Sequence, residues 1–304
     1  MSIVLSILIP CFNSENTIIN TLESIPKLSI IEVVVVDDGS TDNSKSLIID
    51  YSTKSKLNCK LIVSDNRGPS NARNLALQNS VGDWIFFLDS DDKVEANTVI
   101  SFLEEIQYKN NIDGERFKYE NASGKPAKNN YASNKTVLLQ QMAWNRYIYN
   151  RKFLVENSIH FIPNLIEYKE VYMFEDYYFL LIFLAFKPNL KFSNTVLLLY
   201  KDRQSTSNEI YRYQQSLYQE HKILRIFRKQ FLNLEGFDTQ FLMTAIYFRV
   251  SKICILLNPR PRLVFRLQLL FQFFLIGLKL RSTKTLLYLA KILFKSFWLN
   301  LNKA

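Results

Sequence analysis

Three groups of carboxylates in this 304-residue chain have the type and spacing to do chemistry. Asp89-Ser90-Asp91-Asp92 follows the apolar run Trp84–Leu88. Two carboxylates one residue apart at a strand end, with a third beside them, offer an oxygen-rich site for a hard divalent cation such as Mn²⁺ or Mg²⁺. A cation held there would neutralise the charge that develops on a departing nucleoside diphosphate. The same residues would also make a solvated turn or a helix N-cap. Asp37-Asp38-Gly39-Ser40-Thr41-Asp42 ends the apolar run Val33–Val36. It can present an acceptor to a base N–H or to ribose hydroxyls, and Ser40, Thr41 or Asp42 suits the cap of a following helix. Glu175-Asp176 lies inside the aromatic run Tyr172–Phe179. Partial desolvation there raises a carboxylate's pKa and makes it a better base, although an exposed helix start fits the pair as well.

Strands and helices must bring these groups together. Ile3–Pro10, Ile31–Asp37, Lys60–Ser64 and Trp84–Asp89 are short runs rich in Val, Ile and aromatics, as buried parallel strands are. Between them, Ile18, Leu22 and Ile25 fall at helical spacing behind Asn13 and Ser14, the expected caps. Leu47–Ile49 follows the polar cluster Gly39–Ser44, and Leu75 and Leu77 follow Ser70. Strand–helix alternation with short connections predicts an α/β domain with an open, mostly parallel sheet. Ligands bind such sheets at the carboxyl ends of the strands, where the polar residues of this chain collect. From about Lys109 to Lys135 the chain is polar and rich in Asn and Gly, which predicts a hairpin or long loop. An α-rich part is expected from Val137 to about Asn208.

Seven segments, in order, resemble the family 2 inverting glycosyltransferases of GT-A fold. They are Ser6–Asn13, Val36–Asp42, Asn66–Asn74, Phe87–Asp92, Trp144–Tyr149, Glu175-Asp176 and Tyr200–Ser207. The resemblance covers about two thirds of the chain. It implies a Rossmann-like, mostly parallel sheet flanked by helices, to which the basic tail adds a C-terminal helical extension. Residues 1–108 would then form the nucleotide-sugar-binding half, 109–210 the acceptor-binding half and 211–304 the extension. By the same resemblance, Pro10, Phe12 and Glu15 line the nucleotide and Asp38 bonds the base, uracil. Asn66 and Arg73 contact the donor, Arg203 and Ser205 close over the diphosphate, and Asp89 and Asp91 are the metal-binding pair, Asp91 the direct ligand. Asp176 is the general base, with Glu175 beside it to orient donor or acceptor. The reaction implied is metal-dependent sugar transfer, with inversion, from a UDP-type donor to a saccharide or lipid-linked saccharide of a bacterial surface polysaccharide. A catalytically inactive scaffold subunit that binds sugar nucleotide is the alternative. Ala76 stands where the family often has Gly, and Lys109–Lys135 matches no common pattern.

Charge locates the rest. Eleven of the 38 basic residues and none of the 28 acidic ones fall in 239–304, so the formal net charge of +10 belongs to the tail, and the remainder of the chain carries −1. An excess confined to a greasy tail fits an anionic membrane surface and not nucleic acid, which requires Lys and Arg on a polar face. The longest uncharged run there, Leu267–Leu278, is twelve residues, short of the roughly twenty needed to span a bilayer. Lys284, Lys291 and Lys295 share one helical face opposite Leu286, Leu293 and Phe297, as in a helix lying in the interface. Packing of the tail on a second subunit, in a homo-oligomer, is the competing expectation. Three scattered cysteines, Cys11, Cys59 and Cys254, suit a reducing compartment. The expected location is therefore cytoplasmic, peripheral on the inner face of the plasma membrane. His160 and His221 are not expected to bind metal, and the absence of a GxGxxG turn after the first strand argues against a Rossmann dehydrogenase.

Overall fold

The computed structural model describes residues 2–108, 111–121, 144–162 and 175–200. These residues all belong to one unit, Met1–Gln204. Eight strands form a single sheet: β1 Leu5–Cys11, β2 Ile31–Asp37, β3 Cys59–Val63, β4 Trp84–Phe87, β5 Lys93–Val94, β6 Gly114–Asn121, β7 Tyr147–Asn150 and β8 Leu190–Tyr200. Their order is β3-β2-β1-β4-β7-β6-β8-β5. The half made by β3, β2, β1 and β4 is wholly parallel, with Leu5 opposite Ile31 on one side and Trp84 on the other. Beyond β4 the sheet turns mixed: β7 runs antiparallel to β4 and β6, β6 is parallel to β8, and β5 closes the edge antiparallel to β8.

Sequence explains the parallel half directly. Every residue of Ile-Glu-Val-Val-Val-Val-Asp in β2 is buried, because helices cover both faces of a parallel sheet. These are α1 Ile18–Glu23, α2 Ser44–Lys54 and α3 Pro69–Gln78. Three more helices follow, α4 Ala96–Glu105, α5 Arg151–Glu156 and α6 Glu175–Ala185. The buried Glu32 is not a defect in β2. Its carboxylate accepts from the Ser6 hydroxyl, from Val81 N–H at 2.6 Å and from Gly82 N–H at 3.3 Å, which ties the entry of β4 to β1 and β2.

Three expectations are corrected. Gly114–Asn121, expected in a hairpin or long loop, is a strand that pairs with β7 and β8. Its polar appearance misleads because Glu115 and Arg116 are themselves buried, and Glu115 lies 3.6 Å from the Lys191 ammonium. The stretch from Val137 to Asn208 holds helices α5 and α6 where it is described, but also β7 and the eleven-residue β8, which the expectation left out. Asn13 and Ser14 do not cap α1 with their side chains. The Ser14 carbonyl takes the first N–H groups, those of Thr17 and Ile18, and both side chains are used elsewhere. The C-terminal extension lies outside the described residues.

Candidate active site

The carboxyl ends of β1, β2, β3 and β4 lead into four loops that bond to one another. After β1, Asn13 adopts the left-handed conformation (φ 48°), and its side-chain oxygen accepts from Thr41 N–H at 2.9 Å. Asn13 N–H in turn donates to the Ser40 hydroxyl. Glu15 accepts from the backbone and side chain of Asn43 at 3.1 and 3.0 Å, so its carboxylate sits at the start of α2. Asp42 caps the same helix through Ser44 and also takes Glu15 N–H. Desolvation pushes the Asp42 pKa upward, but the bonds from Ser44 and Glu15 outweigh it and hold this carboxyl below its ordinary value. Pro10, half-buried, pairs with Val36 inside β1, and Phe12 just beyond it leaves 46% of its surface exposed.

Asp38 is the hub of the second loop. Only 3% exposed, it accepts from the Ser64 hydroxyl and Arg67 N–H (2.9 Å) on one oxygen and from Gly68 N–H (2.6 Å) on the other. The turn after β3 is thereby moulded around it. Gly39 (φ 77°) makes the close approach feasible, because a Cβ there would lie 3.2 Å from the backbone nitrogen of Asn66. Asn66 itself is exposed and left-handed, φ 50°. Asn13 and Asn66 thus hold a conformation rare for non-glycine residues in the loops after β1 and β3.

After β4, oxygens of Asp89, Asp91 and Asp92 all lie within 4.8 Å of one another. Arg73, in the first turns of α3 and 6% exposed, donates from Nη2 to Asp89 Oδ1 at 2.8 Å. The acidic loop is pinned on its other side. Ser90 shares a 2.8 Å hydrogen bond with the Ser14 hydroxyl, and its carbonyl accepts from Thr21 of α1 at 2.9 Å. Three hard carboxylate oxygens at this separation suit Mn²⁺ or Mg²⁺. Glu175 and Asp176 form the first turn of α6, whose following residues from Tyr178 to Ala185 are buried. Arg203 and Ser205 lie outside the described residues, as does His221. His160 is exposed, with Nδ1 2.7 Å from the Ser158 carbonyl.

The structure thus brings Pro10, Phe12, Glu15, Asp38, Asn66, Arg73, Asp89 and Asp91 to the loops at one end of the parallel half. Sequence reasoning missed the polar residues that join these loops, Ser14, Thr21, Ser64 and Ser90. Small hydroxyls in loops carry no pattern of their own. Their partners lie from 26 to 76 residues away in the chain.

A Rossmann-like parallel half, an acidic loop after β4 and a polar loop cluster beside it define a nucleotide-sugar transferase fold. Residues 6–167, more than half of the chain, match the family model described as glycosyl transferase family 2, and the chain belongs to that family. It is 35% identical over 107 residues to the poly(ribitol-phosphate) beta-N-acetylglucosaminyltransferase TarS of Staphylococcus aureus, across 33% of this chain and 19% of that protein. Against the minor teichoic acid biosynthesis protein GgaA of Bacillus subtilis, identity is 38% over 106 residues, 33% of this chain and 24% of GgaA. The glycosyltransferase GlyG of Streptococcus pneumoniae is 30% identical over 129 residues, 41% of this chain and 42% of GlyG. The chain spans less than half the length of these relatives. Among solved structures, S. aureus TarS 1–349 in complex with UDP-GlcNAc superposes with a TM-score of 0.60 at 22% identity, covering 83% of this chain and 84% of that one. The mannosyltransferase PcManGT from Pyrobaculum calidifontis, in complex with GDP-Man and Mn²⁺, gives 0.51 at 17% identity, covering 98% and 88%. At such identities these two likenesses establish the fold.

Proposed function

We propose that the chain transfers a sugar, with inversion, from a uridine diphosphate donor to a saccharide or lipid-linked saccharide of a bacterial surface polymer. One observation carries this reading: Arg73 and the clustered Asp89, Asp91 and Asp92 stand beside loops organised by Asp38, at the end of a parallel sheet where nucleotides bind. Teichoic acid relatives and a fold shared with a UDP-GlcNAc complex support the donor and polymer classes. Asp91, with Asp89, would hold Mn²⁺ or Mg²⁺, which when bound neutralises charge on the diphosphate. Phe12 and Pro10 flank the base, and Asp38 receives it or fixes the turn that does. Glu15, Asn66 and Arg73 shape the donor pocket, with Arg203 and Ser205 covering the diphosphate. Asp176 removes the proton from the acceptor hydroxyl, and that oxygen attacks the anomeric carbon from the face opposite the leaving group. Glu175 orients the reactants.

Residues 1–108 serve as the donor half, 109–210 as the acceptor half and 211–304 as a membrane-associating extension on the cytoplasmic side. Among the described residues no helix is long and apolar enough to cross a membrane. The test is thermal stabilisation and turnover with a panel of nucleotide sugars, with and without Mn²⁺. A rise in Tm with UDP-GlcNAc that EDTA abolishes, together with UDP release, is expected. Stabilisation by no nucleotide sugar would overturn the reading, and binding without turnover in the presence of varied acceptors would establish the scaffold instead.

A further inference from the structure

Behind the acidic loop lies a block of aromatic rings. Phe87, two residues before Asp89, meets Phe161 edge-on at 5.0 Å and Phe179 at 5.4 Å. Phe161 and Phe179 stack on each other with centroids 4.2 Å apart and planes 8° from parallel. Phe179 sits one turn into α6, the helix that opens with Glu175 and Asp176. The block therefore joins the strand that carries the acidic loop to the helix that carries the base.

A stack of rings fixes a separation but resists sliding weakly, because dispersion has no strong direction. Two hydrogen bonds on one residue supply the missing direction. Asn74 of α3 accepts from Phe161 N–H at 2.8 Å and donates to the Phe161 carbonyl at 2.7 Å, so a single side-chain amide pairs both backbone groups as a neighbouring strand would. The residue before it, Arg73, bonds Asp89 and lies 5.3 Å over the Phe161 ring. Two consecutive residues of α3 thus grip the two sides of the site.

We propose that Asn74 is a positioning residue: its amide clamp on Phe161 sets, through the Phe161–Phe179 stack, where the first turn of α6 stands relative to Asp89 and Asp91. The catalytic consequence rests on the reading of Asp176 as base. Removing the clamp lets the stack slide and the helix start drift, leaving the donor loops untouched.

Two measurements on the full chain test it. Amide hydrogen exchange reads how firmly α6 is held without any substrate, and Asn74→Ala, by loosening the anchored helix start, should speed exchange in Glu175–Ala185 by at least about tenfold. Turnover of UDP-GlcNAc should fall on the order of 10–100-fold in kcat with donor KM within about threefold, since a small misplacement costs about this much. Asn74→Asp, which keeps the acceptor for Phe161 N–H, should lie between, and serves if the alanine variant does not fold. Asn79→Ala, which breaks a part-buried bond to the Leu75 carbonyl at the far end of the same helix, should change neither readout. Unchanged exchange in α6, or an equal effect of Asn79→Ala, would overturn the clamp. Should the wild-type chain fail to turn over UDP-GlcNAc, exchange alone decides. Asp176→Asn run in parallel separates the two ideas: wild-type turnover there removes the base assignment while exchange still judges Asn74.

Discussion

At the scale of single residues, what decides function here is how each polar group is already occupied. Asp38 accepts three hydrogen bonds from the turn after β3, so under the proposed function it would act on the donor through that turn. Asp38→Asn would set an amide donor against a backbone N–H. Bonds to a charged group contribute roughly 1.5–3 kcal/mol, so a Tm lower by several degrees and a donor affinity weaker by at least tenfold are expected from melting and calorimetry. A stability loss without an affinity loss would make Asp38 purely structural. The cysteines give a second check. Burial pushes Cys11 and Cys59 up to about 11; around Cys11 the nearby Ser14 pulls the other way and Asp37 adds to the rise. Both thiols are therefore protonated in the folded chain at pH values where unfolded thiols, near 8.5, have ionised. The unfolded state holds fewer protons in that window, so stability falls as pH rises from about 8.5 toward 11. In a Cys59→Ser, Cys254→Ser background, a thiol-specific disulfide reagent at pH 8 should react slowly with the buried Cys11 until denaturant is added; prompt reaction would contradict that burial.

At the scale of elements, legibility followed how a strand acquires its neighbours. β1, β2, β3 and β4 were readable because each is apolar on its own account and ends in a polar turn. β6 was not, since Gly-Glu-Arg-Phe-Lys-Tyr-Glu-Asn becomes a strand only through pairing with β7 and β8, and its buried Glu115 is compensated across strands by Lys191. In the candidate site the acidic residues were legible by type. The clamps between loops were not, because Ser14–Ser90 and Asn74–Phe161 pair residues distant in sequence. Gly82 makes the element-scale point testable. A Cβ there would lie 2.6 Å from Ser6 Oγ and 2.7 Å from Ser6 N, and the backbone of β1 cannot retreat because it is paired on both sides. Gly82→Ala is expected to destabilise by about 1–3 kcal/mol through overpacking, seen as a lower denaturation midpoint. Since Gly82 lies at the opposite end of β4 from Asp89, donor affinity of the folded fraction should be retained.

At the scale of the whole molecule, the proposed membrane association rests on the charge distribution. A body with a formal balance of −1 precedes a tail with eleven basic and no acidic residues. Each basic residue near an anionic surface contributes about 1 kcal/mol, and the attraction decays within a Debye length, about 8 Å at physiological salt. Engagement of even half the tail's charges would keep the chain at a membrane where a lipid-linked acceptor is presented. The full chain should therefore sediment with vesicles containing phosphatidylglycerol, release as salt is raised, and ignore vesicles of phosphatidylcholine alone. Replacing Lys284, Lys291 and Lys295 together by Glu reverses the charge at three positions of helical spacing while keeping Leu286, Leu293 and Phe297. That variant should lose vesicle binding yet turn over soluble donor as the parent does, because none of the three belongs to the loops that form the site. Binding that survives the triple replacement, or that is equal on neutral vesicles, would mean that the charges face protein and that the tail is an assembly surface instead.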